Sequence, residues 1–284
     1  MTAIGPSTTD PSTTDPGTTD RATFAADWAA WHDRHEQVRA GEHGFLAITG
    51  LHWLTGEPER FPDAPGEWST GPDGVVVRLA DGEDLVVDGR PVHGEHRFAP
   101  LAEDTEVTAT SGDAVVEVAR RGRSDVLRPR HPGNPVRLAY PGTPAYAPDP
   151  RWAVSGRFVP FTEPRPTPVG SVVEGLEFVY DAPGRLEFTV DGQQLALTAF
   201  NGETPGSFFV LFTDATSGVT TYPANRALRV AAPGADGTVT VDFNRATNLP
   251  CAYTQFATCP LPPAENRLPV AVEAGEQAPA ARGR

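Results

Sequence analysis

The residues of this chain whose types and spacing could do chemistry gather in two segments. One is LFTDATSGVTTYPANR, Leu211 to Arg226, where an apolar run ending at Phe212 delivers Asp214, Thr216 and Ser217 to a turn and the chain returns through Tyr222 and Arg226. The other, Val239 to Glu276, holds both cysteines and five prolines amid Asn, Asp, Glu and Arg. Asp214, Asp242 and Glu265 are the candidate acid/base groups and Cys251 the candidate nucleophile. Ser217, Tyr222, Arg226, Asn244, Arg245, Asn248, Tyr253, Asn266 and Arg267 are the candidate ligand contacts. Among them Arg226, Arg245 and Arg267 would clamp an anion, because guanidinium forks match carboxylate and phosphate geometry. A carboxylate beside an arginine stays ionised, so a general acid would be the one without such a partner.

The same residues have plainer uses. Asp and Ser in turns commonly bond their own backbone, and cysteine is among the most buried residue types. Cys251 and Cys259, separated by AYTQFAT, could close a disulfide, offer half of a soft-metal site or simply pack. Asp242 and Asn244 alternate around Phe243 and face one side if the strand continues. Leu249-Pro250 then breaks the strand, since proline has no N–H for a ladder.

Composition removes several mechanisms. All 23 basic residues are arginine, so a Schiff-base lysine, a P-loop lysine and a lysine base are excluded. No G-x-G, G-x-S-x-G or H-E-x-x-H is present, which removes the dinucleotide fingerprint, the nucleophile elbow and the zincin helix. His32 and His35 have metal-like spacing, but only His35 falls on the apolar face of its helix. His93 and His96 lack a third ligand placed by sequence. No metal and no organic cofactor are therefore expected. A net charge of −14 repels phosphate backbones, so nucleic acid is not an expected partner. There is no signal-like start and no apolar run long enough for a membrane span, which reads as a cytoplasmic chain with reduced thiols.

The elements that must position these groups follow from periodicity. Residues 1–20 carry PSTTD repeats with nothing apolar to bury and read as a disordered tail. Asp20 reads as the cap of an amphipathic helix whose apolar face is Phe24, Trp28, Trp31, His35 and Val38, closed by Gly41. Beyond Phe45–Leu54 the pattern turns to short strands: Val75–Leu79, Leu85–Val87, Glu106–Thr110, Ala114–Ala119, Trp152–Pro160, Ser171–Tyr180, Arg185–Val190, Gln194–Phe200, Ser207–Thr213, Val219–Tyr222, Leu228–Ala231 and Thr238–Asp242. Ser111-Gly112-Asp113 reads as a hairpin loop, and Asp191-Gly192 is the strongest two-residue turn. Arg120 to Pro150, crowded with arginine and proline, reads as strand edge or anion-binding wall. The fold class expected is mainly β: a single antiparallel β-sandwich or barrel-like domain over 21–276, with an N-terminal amphipathic helix, a Pro-rich irregular C-terminal segment and a disordered tail at 277–284.

DFNRATNLPCAYTQFATCPLPPAENRLPVAVEAGE, together with TDATSGVTTYPANR and ITGLHWLTGEP, resembles the bacterial family of domain of unknown function 1684, over roughly Phe24 to Glu276. The chain departs from the family pattern where LRPRHPGN replaces an R-x-R-D strand, at Leu249, where a second proline is more usual, and at His52, where Phe or Tyr is. The resemblance implies no activity, only that these polar positions belong to a recurring pattern. Two functions are expected from the residues themselves: a cofactor-independent enzyme with its pocket at a sheet end, hydrolysis being the reaction suggested, or a non-catalytic β-barrel protein holding a small anionic ligand. A third use of the C-terminal segment is to seal the domain. Oligomeric state is left open.

Overall fold

The computed structural model describes residues 16–103 and 105–280, with side chains from Asp20 onward. Helix α1 (Pro16–Arg39) leads into ten short strands: β1 (His52–Trp53), β2 (Glu59–Phe61), β3 (Ala64–Gly71), β4 (Gly74–Arg78), β5 (Leu85–Val87), β6 (Arg90–Val92), β7 (Glu95–Arg97), β8 (Glu106–Ser111), β9 (Ala114–Arg121) and β10 (Ser124–Arg130). They form two antiparallel sheets, ordered β1-β10-β9-β8-β5-β6 and β2-β3-β4-β7. Both sheets give side chains to one core around Trp68, Val77, Leu85, Val116, Val118 and Leu127.

After the four-residue helix α2 (Pro135–Leu138), six further strands follow: β11 (Ala153–Gly170), β12 (Glu177–Val190), β13 (Gln193–Asn201), β14 (Phe208–Phe212), β15 (Arg226–Val230) and β16 (Thr238–Asp242). They make one antiparallel sheet, β15-β14-β13-β12-β11-β16. Successive side chains of β14 point to opposite faces, and both faces are covered. Val210 and Phe212 join Phe188, Leu197 and Val241 on one side. Leu211 joins Phe178, Phe200, Cys251 and Cys259 on the other. A strand buried on both faces reads as a continuous apolar run, which is why FFVLF lacks alternation. The β11–β12 hairpin changes register between Pro160 and Arg165, a bulge that bends it so that its two halves serve different clusters.

The mainly β, antiparallel class read from the sequence is the class observed, and the segment after β16 is irregular, with two short 3-10 turns and isolated bridges. The Asp191-Gly192 turn is type I′ in character, with φ of 48° and 78°. Other expectations change. The helix begins at Pro16 rather than after an Asp20 cap. Its inward face runs through Phe24, Trp28, Trp31, His32, His35, Glu36 and Arg39, whereas Val38 is 76% exposed. The packed face is therefore largely polar, and the period drifts off the apolar residues at its C-terminal end. β10 lies inside the arginine-rich block, where Arg and Pro hide the alternation; β2 and β3 are likewise unmarked in the sequence reading. Val219–Tyr222 forms no strand, only a Ser217–Thr221 bridge. Gln277 and Ala278, within the expected tail, are bonded to the domain: their N–H groups donate to Pro144 O and Thr220 O. Residues 1–15 and 281–284 lie outside the described residues. Among the described residues no helix is long and apolar enough to cross a membrane.

Asn266 shows what the irregular segment does for the sheet. Fully buried, it accepts from Thr198 N (2.7 Å) and donates to Thr198 O (2.9 Å) and Leu211 O (2.8 Å), tying the edge of β13 to β14. Asn266→Ala strands three backbone groups, and a loss of about 2–4 kcal/mol in urea unfolding is expected. A loss below about 1 kcal/mol would mean that the sheet does not depend on this cover.

Candidate functional site

The two chemistry-bearing segments do meet. Backbone bonds run from Thr213 N to Asn266 O, Leu268 N to Thr213 O and Ala215 N to Val270 O, so the C-terminal segment lies against the turn after β14. The side chains at this meeting are spent on each other. Arg226 and Asp214 form an ion pair at 2.5 Å, both buried. Asp214 also accepts from the Thr216 N–H (2.6 Å) and hydroxyl (2.5 Å). Arg226 donates to the carbonyls of Ala274, Val272 (3.0 Å) and Glu276 (3.4 Å). Burial pulls the Arg226 pKa down, opposed by the Asp214 charge. A guanidinium with this many internal acceptors is a brace for main chain, not an anion clamp. Ser217 accepts from Asp214 N (3.1 Å), the turn-stabilising role.

The other candidates separate into local groups. Asp242 caps a 3-10 turn through Asn244 N (3.1 Å) and pairs with Arg245 (3.3 Å), whose guanidinium lies over Trp31. Asn244 is held by Asp149 on both its N–H and its carbonyl, and its own carbonyl receives Trp28 Nε1 at 2.6 Å, which anchors α1. Glu265 is exposed, accepts from the Thr198 hydroxyl (3.0 Å) and borders a recess of about 360 Å³ with Phe161, Arg165 and Arg185. Arg267 is exposed and engages Thr213 only through a bridge. Tyr222 donates to Cys251 O (2.9 Å).

Cys251, the expected nucleophile, lies away from solvent. It is fully buried among Val169, Phe178 and Leu249, and no disulfide joins it to Cys259. Cys259 Sγ accepts from Cys251 N at 3.2 Å, and the bond to the Cys251 thiol together with burial pushes the Cys259 thiol well above its ordinary range. A thiolate is the nucleophilic form, so Cys259 is disfavoured by this shift and Cys251 by its burial. The arginine block is likewise absorbed: Arg121, Arg128 and Arg130 converge on the buried Glu117, whose charge burial opposes while Arg128 and Arg130 hold its carboxyl below the usual range.

The densest cluster centres on a residue the sequence reading passed over, Glu276. Its side chain is 1% exposed. Oε1 accepts from Arg39 Nη2 at 2.7 Å, and Oε2 from Asn248 N at 2.7 Å and the Tyr253 hydroxyl at 3.4 Å. Gly275, at φ 73°, aims it there; a Cβ on that glycine would lie 2.6 Å from Ala246 O and 2.7 Å from Phe243 O. Arg39, also 1% exposed, pairs with Glu36 as well and donates to Tyr140 and Thr143. Burial disfavours the Arg39 charge, but Glu276 and the tyrosines beside it raise its pKa overall. Burial raises the Glu276 carboxyl, and Arg39 opposes that rise. His32 Nε2 and His35 Nε2 stand 3.8 and 3.9 Å from the same Glu276 oxygen. Burial, then Arg39, pushes His35 down to about 4, so it is neutral near pH 7.

The Tyr140 and Tyr253 hydroxyls point into this cluster: Tyr140 donates to Glu36 Oε2 at 2.6 Å, and Tyr253 bonds Thr143 Oγ1 at 2.7 Å. Burial raises both phenols, Tyr140 to about 12 and Tyr253 further, so both remain protonated. Both residues also line a recess of about 370 Å³, shared with Leu46, Val136, Ala139 and Pro141, although the Tyr253 ring itself lies under the Arg39 guanidinium, 4.8 Å from its centroid.

Residues 138–277 match the profile of DUF1684, a protein family of unknown function. The chain belongs to the DUF1684 family. Among solved structures it is similar to the solution NMR structure of an uncharacterized protein of Haloarcula marismortui, 31% identical, covering 50% of this chain and 78% of that one, with a TM-score of 0.42. No curated protein matches. The DUF1684 span is narrower than the resemblance from Phe24 onward. It includes Tyr140, Thr143, Asn248, Tyr253 and Glu276, while α1 with His32, His35, Glu36 and Arg39 precedes it.

Asn248 and Tyr253 are the two predicted ligand contacts that this centre uses. Glu276, Arg39 and Tyr140 were missed. The one available signal was the His32, His35, Glu36, Arg39 run, one helical face of ionisable groups that demands a buried counter-charge. Two outcomes are expected. Arg39→Met and Glu276→Met should each cost about 3–5 kcal/mol in denaturant unfolding, because each leaves a buried charge alone, whereas the double variant should cost clearly less than their sum. Strict additivity would show that the pair is not coupled. A disulfide reagent such as dithionitrobenzoate should leave Cys251 and Cys259 untouched in native protein and label both in urea; rapid native labelling would restore Cys251 as a candidate nucleophile.

Proposed function

We propose that this protein binds a small molecule with an apolar body in the recess between α2 and the C-terminal segment. The observation that carries the reading is the size and chemistry of that recess: about 370 Å³, lined by Tyr140 and Tyr253 with Leu46, Val136, Ala139 and Pro141. Small-molecule sites are typically concave, largely apolar and roughly 300–1,000 Å³. Both tyrosine hydroxyls are committed behind the wall to Glu36, Thr143 and Glu276. That leaves a ligand the apolar surface of the lining, with Tyr140 at the wall and the buried Tyr253, its ring under Arg39, backing it.

Binding is favoured over catalysis, because the carboxylates nearest the recess are held inside the Arg39 cluster and the thiol nucleophile is buried elsewhere. The arginine-bound anion of the sequence reading gives way to an apolar ligand, since Arg226 is consumed by Asp214 and main-chain carbonyls. A cytoplasmic location accords with two cysteines kept as thiols.

The test is titration of the full chain with anilinonaphthalene sulfonate and with naphthol, in parallel with an Ala139→Trp variant that fills the exposed mouth. Affinity should fall by about tenfold or more in the variant as the added ring occupies the recess, with the melting temperature unchanged. Equal probe affinity in the two proteins would sink the reading.

A further inference from the structure

We propose that His32, Glu36 and Glu276, joined by His35, form a binding site for one divalent cation of the zinc class. This goes beyond the ligand-binding reading, because it concerns the buried cluster behind the tyrosine wall and not the recess in front of it.

The donor set converges from two directions. His32, His35 and Glu36 lie at i, i+3 and i+4 of α1, and residues so spaced share one face of a helix. Glu276 arrives opposite them from the C-terminal segment. His32 Nε2, the Glu36 carboxylate and the Glu276 carboxylate offer atoms that all lie within 4.8 Å of one another. His35 Nε2 stands 3.9 Å from the same Glu276 oxygen, at the margin of this three-residue group.

The gap at Glu276 is the telling distance. His32 Nε2 and Glu276 Oε1 are 3.8 Å apart, beyond hydrogen-bond range. His32 Nε2 is buried with no hydrogen-bond partner among the described residues. A buried ring nitrogen left unpaired is costly. A cation at about 2.0–2.1 Å from each atom would bridge them, the ordinary reach of zinc to imidazole nitrogen and carboxylate oxygen. Neighbouring ligands of a tetrahedral zinc are about 3.3 Å apart at those bond lengths, so binding requires an inward closing of well under 2 Å.

The surroundings already have the form that supports metal ligands. Trp28 stacks on His32 with centroids 4.7 Å apart, and Trp31 on His35 at 5.6 Å, which fixes both ring planes. Glu276 Oε2 is held by Asn248 N, and Glu36 Oε2 by Tyr140 and by Thr143 N (3.1 Å). Arg39 is the competitor, since it reaches both carboxylates. Two carboxylates against one guanidinium leave the cluster net negative, so a cation is attracted rather than repelled. Arg39 can keep Tyr140 and Thr143 as the cation takes the remaining lone pair of Oε1.

The experiment uses full-length protein dialysed against a chelator and titrated with Zn²⁺ near neutral pH, by calorimetry and by metal analysis after desalting. One ion per chain is expected, with affinity reduced about tenfold or more in His32→Ala and in Glu36→Gln, and unchanged in His43→Ala. No uptake by the wild type would overturn the proposal, as would undiminished affinity in a folded His32→Ala/His35→Ala double variant. Should the variants fail to fold, Co²⁺ added to the wild type decides: visible ligand-field absorption saturating at one equivalent supports the site, and its absence overturns it. Ala139→Trp should bind Zn²⁺ as the wild type does, so that loss of the recess reading and loss of the metal reading are told apart.

Discussion

The buried contact between Arg39 and Glu276 is the constraint around which the C-terminal half is arranged. Two charges taken out of water repay their desolvation only with close geometry and further hydrogen bonds. Here Tyr140, Thr143 and Glu36 complete Arg39, and Asn248 and Tyr253 complete Glu276. Delivering Glu276 requires the chain to turn through a positive φ at Gly275, in a space where no side chain fits. It also requires the segment before it to be fixed, which is the work of Arg226 on the carbonyls of Val272 and Ala274 and of Asp214 on Arg226. One charged chain, Asp214 to Arg226 to the backbone to Glu276 to Arg39, thus runs from the sheet edge to the helix.

This arrangement explains why polar residues so numerous yield so little polar surface at the recess. The hydrogen-bonding capacity of the tyrosines, asparagines and the central arginines is used inward. What faces outward beside α2 is hydrocarbon and aromatic ring. The exposed Leu138, one residue before the lining Ala139, continues that character beyond the recess.

Most of the strand pattern was legible in the sequence because half-buried strands alternate and turn residues punctuate them. The readable cases were Leu85–Val87, Thr238–Asp242 and the Asp191-Gly192 turn. β10 was hidden, since its inward charges are neutralised by Glu117 on the neighbouring strand and its apolar residues alone do not mark it. The candidate site was legible as a segment and misread as a pocket. Local spacing marked Asp214, Arg226, Asn244 and Asn266 as unusual, but whether such groups face solvent or main chain depends on partners far along the chain. Glu276 carried no local mark, surrounded as it is by Ala and Gly. Its importance comes only from a helix at the opposite end of the sequence.

That separation has a consequence for how the molecule is made. Arg39 and Glu276 are 237 positions apart, so α1 leaves the ribosome long before its counter-charge exists. Contacts of such sequence separation form late, because the loop they close must first be organised. Both β units can assemble while α1, with Trp28, Trp31 and an Arg39 paired within its own helix to Glu36, still lacks Glu276. Docking of α1 through Trp28 to Asn244 and through Arg39 to Glu276 therefore belongs to the late part of folding.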